Sequence, residues 1–210
     1  MKYTHILWDY NGTILDDVDA GIASVNKLLR DRKLKTLDSV DEYHAVFTFP
    51  VINYYKKLGF DFERESFDII AELWIAEYSE QLKKCTLRDG VREMLSELSQ
   101  KGLRQSVISA ADDSMLKAQL SSYGITHFFD EICGIEGIKA ESKLHIARSW
   151  REKHPDAAAL FIGDTLHDLD TARAASADCV LVCGGHQSEA DLMSAGVPVV
   201  KTINDIINYL

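Results

Sequence analysis

Five short apolar runs constrain what this chain can fold into: Ile6-Leu7-Trp8, Ser106-Val107-Ile108, Phe128 to Cys133, Ala158 to Ile162, and Val180-Leu181-Val182. Stretches of helical periodicity lie between them. From Arg88 to Gln100 the apolar positions Val91, Met94, Leu95 and Leu98 share one helix face, and Lys101-Gly102 supplies a stop. Leu116 and Leu120 repeat the pattern from Asp113 to Tyr123, ended by Gly124. Ser142 reads as the N-cap of a helix carrying Leu144, Ile146, Ala147 and Trp150. Short buried strands alternating with amphipathic helices are the signature of an α/β fold with a parallel sheet.

The segment between the first two runs differs. Residues 16–85 read as successive helices without a clear buried strand. Val18, Ile22, Val25 and Leu29 form one apolar stripe, and Phe67, Ile70, Ala71, Trp74 and Tyr78 form another. The expected architecture is a doubly wound, Rossmann-like parallel sheet core, residues 1–15 and 86–210, with an inserted all-helical cap domain, residues 16–85.

Composition narrows the function classes. At 210 residues the chain can bury a full core without disulfide or metal staples. Its 23 basic and 33 acidic residues give a formal charge of −10, which argues against holding nucleic acid or an anionic membrane by bulk electrostatics. A small phosphorylated ligand remains compatible, because a pocket can differ in sign from the whole surface. Four cysteines without a CxxC pair suit reduced thiols. No apolar stretch approaches the roughly 18 residues of a membrane span, and Met1-Lys2-Tyr3-Thr4-His5 lacks a signal pattern. A cytoplasmic protein, monomeric or homodimeric, is expected.

Two apolar runs end in acids. The first leads into Asp9-Tyr10-Asn11-Gly12-Thr13, the fourth into Gly163-Asp164-Thr165-Leu166-His167-Asp168. Ligand sites of such sheets lie beyond the carboxyl ends of the strands, so Asp9, Asp164 and Asp168 should converge. Hard divalent cations such as Mg²⁺ favour such oxygens. Ser109 ends the second run at the same edge, and Lys143 begins the helix after the third. Singly, each has a plainer reading as a turn residue, a helix cap or a solvated lysine.

Together, in this order, they resemble the four motifs of the haloacid dehalogenase superfamily, in its phosphoglycolate-phosphatase-like branch with a helical cap. Asp9 to Thr13 resembles the first motif, Ser109 the second, Lys143 the third, and Gly163-Asp164 through Asp168 the fourth. The resemblance spans essentially the whole chain. It implies hydrolysis of small phosphorylated metabolites through an aspartyl-phosphate on Asp9. Ser109, Lys143 and backbone N–H groups around Gly12, Thr13 and Ala110 would hold the phosphoryl oxygens. Mg²⁺ would be held by Asp9, Asp164 and the carbonyl of Asn11, with Asp168 in support.

One position departs from the pattern. Relatives carry an aspartate two residues after the nucleophile as general acid and base; here the residue is Asn11. General acid–base help is worth roughly 10²–10⁴-fold. A specialised phosphohydrolase acting on a good leaving group, or borrowing an acid from His44 or His167, is one consequence. A catalytically weak phosphate-binding regulatory protein is another. A phosphonatase-type hydrolase would need a cap lysine, for which Lys56 and Lys57 are available. Asn11-Gly12 is also a labile dipeptide whose deamidation would create an aspartate. Phe47-Thr48-Phe49-Pro50 and Tyr54-Tyr55 are expected either to face the crevice or to form the cap core, and Arg88 to lie near the substrate or serve only its helix.

Overall fold

The computed structural model describes residues 2–135 and 143–210; the expected N-cap Ser142 lies outside them. Its larger sheet has six parallel strands: β1 (His5–Trp8), β4 (Arg104–Asp112), β5 (Glu131–Ile135), β6 (Ala159–Gly163), β7 (Asp178–Val182) and β8 (Val199–Val200). Their spatial order is β5-β4-β1-β6-β7-β8, so the winding reverses at β1. Helices α5 (Val91–Gln100), α6 (Asp113–Ser122), α7 (Lys143–Lys153), α8 (Leu166–Ala174) and α9 (Glu189–Met193) connect the strands.

Both sheet faces are buried, which is why the strands read as continuous apolar runs. Side chains alternate between them with the strand period of two. Ile6, Trp8, Val107, Leu160, Ile162, Val180 and Val182 enter one core, with Met94, Leu95 and Leu98 of α5. Leu7, Ile108, Phe161, Cys179 and Leu181 enter the other, with Ala147 and Trp150 of α7. All four cysteines are free thiols.

The segment after β1 is helical, as expected: α1 (Val18–Asp31), α2 (Val40–Val46), α3 (Val51–Lys57) and α4 (Phe67–Gln81). Val25 and Leu29 of α1 meet Ile70 of α4 and the aromatic rings Tyr43, Tyr54, Tyr55 and Phe60 in a third apolar cluster. A small antiparallel ladder closes the insert at its neck, β2 (Leu15–Asp16) against β3 (Thr86–Leu87). Two details differ from the sequence reading. The run beginning at Phe128 starts as a tight turn over Thr126–Phe128, and strand pairing begins only at Glu131. Helix α5 starts at Val91 rather than Arg88, because Gly90 takes a left-handed conformation with φ 82°.

Trp8, immediately before Asp9, is fixed from below. Its indole N–H donates to Gln105 Oε1 at 3.1 Å, and the Gln105 amide donates to the Leu95 carbonyl and Ser99 hydroxyl, both at 2.9 Å. Replacing Gln105 by leucine keeps the volume and leaves the indole N–H unpaired. We expect a loss of about 1–3 kcal/mol in urea denaturation; an unchanged midpoint would show that the glutamine does not anchor this strand.

Candidate active site

Asp9 follows β1 and Asp164 follows β6, neighbouring strands in which Trp8 pairs with Ile162. Asp168 sits in the first turn of α8, where it completes a capping box with Thr165. The three carboxylates offer oxygens that all lie within 4.8 Å of one another. Lys143 projects from the first turn of α7, and its ammonium donates to both Asp9 Oδ1 and Asp168 Oδ1. Asp9 keeps 7% of its surface exposed, and Lys143, Asp168 and Asp164 less.

The carboxylates are not equivalent. Asp168 Oδ2 accepts from the Asp164 N–H, the Thr165 N–H and the Thr165 hydroxyl at 3.0, 2.9 and 2.7 Å. Burial opposes its charge, but Lys143 and these donors outweigh that and hold its pKa below the ordinary carboxylate value. Asp9 is pushed well above that value by burial and then by the charge of Asp168, against the pull of Lys143. Asp164 is also raised, chiefly by burial; its oxygens accept from the Thr13 hydroxyl and the His186 N–H, both at 2.7 Å. Three buried carboxylates beside one ammonium leave negative charge unbalanced. That imbalance and the all-oxygen donor set fit a hard divalent cation. Asp168 is the most heavily engaged of the three, so Asp9 and Asp164 keep more of their oxygen lone pairs for such a cation.

The loop after β1 packs tightly against this centre. Gly12 has φ 73°, and a Cβ there would overlap both the Asp164 carboxylate and the His186 ring. Gly185 likewise has no room for a Cβ beside Asp164. The Arg88 guanidinium donates to the Gly12 and Cys183 carbonyls, tying two site loops together. Ser109 is buried on β4, and its Oγ accepts the Ala111 N–H at 3.1 Å, leaving its own proton to donate. Ala110 follows it, exposed at the same sheet edge.

Asn11 is held in a network that extends into the insert. Its Nδ2 donates to Asp17 Oδ2 at 2.9 Å and to the Tyr78 hydroxyl at 2.8 Å. Tyr78 in turn donates to Asp17 Oδ2. Asp17 Oδ1 accepts the Gly12 N–H at 2.7 Å and faces His186 Nε2 at 3.3 Å. His186 Nδ1 meets the Tyr43 hydroxyl at 2.8 Å. Gly12 N–H is the group that would attack in deamidation of Asn11-Gly12, and its hydrogen bond to Asp17 opposes that route.

The same seam gathers other residues of the insert. His44 Nε2 meets the Gly185 carbonyl at 2.9 Å, and Phe49 stacks on His167 with ring centroids 4.7 Å apart. Burial, then the charge of Lys143, lowers the His167 pKa. Tyr54 and Tyr55 lie in the insert's own core, whereas Phe47 packs 5.5 Å from the His186 ring. Lys56 and Lys57 are exposed.

Residues 6–182 match the haloacid dehalogenase-like hydrolase family. The chain belongs to that family. It is 25% identical over 202 residues to a phosphoglycolate phosphatase of Colwellia psychrerythraea, covering 91% of this chain and 89% of that protein. It is also 25% identical over 187 residues to a protein of Caldanaerobacter subterraneus provisionally named pyrophosphatase PpaX, covering 87% and 82%. A haloacid dehalogenase-like hydrolase from Streptococcus pneumoniae superposes with a TM-score of 0.83 at 20% identity, covering 99% of this chain and 98% of that one. At that identity the likeness shows the fold.

Sequence reasoning missed Asp17, His186, Tyr43 and Tyr78. Asp17 occupies the N-cap position of α1 but makes no side-chain cap there; its carboxylate turns to the site loop. Burial alone would raise its pKa, yet the His186 charge and the hydrogen bonds from His186, Tyr78 and Asn11 bring it below the ordinary value. Burial opposes an imidazolium at His186, but Asp17, then Asp164 and Asp9, raise its pKa to about 9. Asp17 therefore contributes stability above its unfolded value of 3.8, and His186 contributes below its unfolded value of 6.5 and loses the contribution as pH rises through about 9. We expect Asp17→Asn to cost about 3–5 kcal/mol near neutrality, the cost of stranding one member of a buried pair. In urea titrations at stepped pH, the gap from the natural protein should be widest between 3.8 and 6.5 and narrow toward 9. A gap independent of pH would contradict the pairing.

Proposed function

We propose that the chain is a Mg²⁺-dependent phosphatase of small phosphorylated metabolites, with Asp9 as the nucleophile and the helical insert, residues 16–85, as a cap over the site. The observation that carries this reading is the meeting of Asp9, Asp164, Asp168 and Lys143 at one buried sheet edge. The names of the relatives supply the first substrates to try, phosphoglycolate and pyrophosphate.

Asp9 would attack phosphorus through a carboxylate oxygen and carry the phosphoryl group as an aspartyl-phosphate, which water then hydrolyses. Lys143 would turn from the carboxylates toward the phosphoryl oxygens, which the Ser109 hydroxyl would also meet. Mg²⁺, held by Asp9, Asp164 and the Asn11 carbonyl, would neutralise charge on nucleophile and phosphoryl group alike. Asp168 would serve by orienting Lys143 and by its charge, while Thr13 and Gly12 keep Asp164 in place. The seam formed by Tyr43, His44 and Phe49 supports a closing role for the insert, which would keep bulk water from the reaction.

A phosphonatase-type reaction is less well supported, because Lys56 and Lys57 lie exposed on α3. The second reading, a weakly active phosphate-binding regulator, is favoured by one observation: the Asn11 amide has no proton to transfer. No described helix is long and apolar enough to cross a membrane. A cytoplasmic location and a monomeric or homodimeric state complete the proposal.

Phosphate release from aryl phosphate, phosphoglycolate and pyrophosphate separates the two readings. The phosphatase reading expects turnover that EDTA abolishes and that Asp9→Asn lowers by at least about 10³-fold. Tight phosphate binding without turnover of any of them would leave the regulatory reading in its place.

A further inference from the structure

Helix α4 is apolar on two opposite sides. Ile70 and Tyr78 are buried beneath it, with Trp74 stacked on Tyr78 at 4.5 Å. On its outer side Ile69, Leu73 and Ile75 are 50%, 46% and 46% exposed, half of the six large apolar side chains that the described residues leave in solvent. The other three, Val40, Met193 and Tyr209, stand singly on separate elements, which is ordinary. Ile69, Leu73 and the exposed Ala76 recur at i, i+4 and i+7 and so form one stripe. A helix apolar on all sides is one whose outer face is also covered. Charge edges this stripe on both flanks. Helix α4 carries Asp68, Glu72, Glu77 and Glu80 and no basic residue. Beside it runs α1, with Lys27, Leu28 and Asp31 lining a groove against Leu73 and Ala76. The end of α1 exposes Lys27, Arg30 and Lys33 against the single acid Asp31. That basic end lies at the start of α4, because Arg32 grips Glu65 at 2.6 and 2.7 Å.

We propose that the Ile69-Leu73-Ala76 stripe is an interface between two copies of this chain, α4 against α4 about a twofold axis, with the acids of each α4 facing the basic end of the other copy's α1. A twofold interface has to be self-complementary, and this surface carries an apolar stripe, an acidic row and a basic row side by side. A twofold axis near Leu73 runs the two α4 helices antiparallel. The Glu77 and Glu80 end of one then reaches the Lys27 and Arg30 end of the other. A partner of a single charge sign would meet like charge on one of the two rows, which a second copy avoids. The ion pairs Lys27–Asp31 and Glu80–Lys83 within each copy are exposed and weak enough to exchange partners. Of the two states proposed above, this pairing selects the homodimer. It is independent of the chemistry at Asp9, so self-association and phosphatase activity can fail separately. Tyr78, on the opposite side of the same helix, meets Asn11 and Asp17, so the interface lies behind the helix that touches the site.

Sedimentation equilibrium across a concentration series tests the pairing. The wild-type chain should reach twice its 23.6 kDa mass. Leu73→Glu should raise the dissociation constant at least about tenfold, as loss of a central interface contact does, with an unchanged circular dichroism spectrum. Met193→Glu, which charges the most exposed of the isolated apolar side chains, should leave the constant as it was. Charge reversal in E77K/E80K should weaken pairing, and adding K27E/R30E to the same chain should restore it. A wild-type chain that stays monomeric throughout the series overturns the proposal and leaves the stripe to a different partner. A dimer that folded Leu73→Glu does not weaken overturns it as well, since the contact then lies on another face. If Leu73→Glu does not fold, the reversal set decides: pairing that E77K/E80K leaves unchanged, or that K27E/R30E does not restore, contradicts the arrangement.

Discussion

Three carboxylates brought to one sheet edge and taken out of water repel one another, and the Lys143 ammonium between Asp9 and Asp168 is the contact that makes their burial tolerable. Burying ions is costly even when they are paired, so a chain that does it beside its central strand is using the arrangement for chemistry. The fold divides the labour. Asp168 spends one oxygen on the capping box of α8 and the other on Lys143, so it stays charged and fixed. Asp9, with less help, is left as the member whose charge is least well compensated.

A second buried pair, Asp17 with His186, joins this centre to the helical insert. Asp17 stands at the start of α1, His186 follows β7, and Tyr43 of α2 closes the other side of the imidazole. The same histidine donates its backbone N–H to Asp164. Position of the insert, orientation of Asn11 and placement of the Asp164 carboxylate are therefore linked through one ring. An asparagine at position 11 makes physical sense here, because a carboxylate in its place would face Asp17 across a hydrogen-bond distance and meet like charge without water.

Much of this was legible in the sequence. The strands β1, β4, β6 and β7 are buried on both faces and read as apolar runs, and α1 and α5 carry clear helical stripes. Asp9, Asp164, Ser109, Lys143 and Asp168 stand out in the sequence because the first three close apolar runs and the last two open helices, although β4 continues past Ser109 to Asp112. The two-residue strands β2, β3 and β8 are too short to show any period, and α9 spans little more than one turn. Asp17 was hidden because a helix-initiating aspartate has an ordinary explanation, and its contact with His186 joins distant parts of the chain. The glycine pair Gly184-Gly185 ahead of His186 was the available signal, since at Gly185 the backbone must approach the Asp164 carboxylate without a side chain.

The central claim is that this buried edge transfers a phosphoryl group to Asp9. Mixing the protein with Mg²⁺ and acetyl phosphate, quenching in acid within the first turnover and mapping peptides by mass spectrometry tests it directly. The account predicts the mass of one phosphoryl group on the peptide containing Asp9, localised to that residue and absent in Asp9→Asn. Phosphate release without any phosphoryl group on Asp9, or with the group on His186 instead, would contradict it.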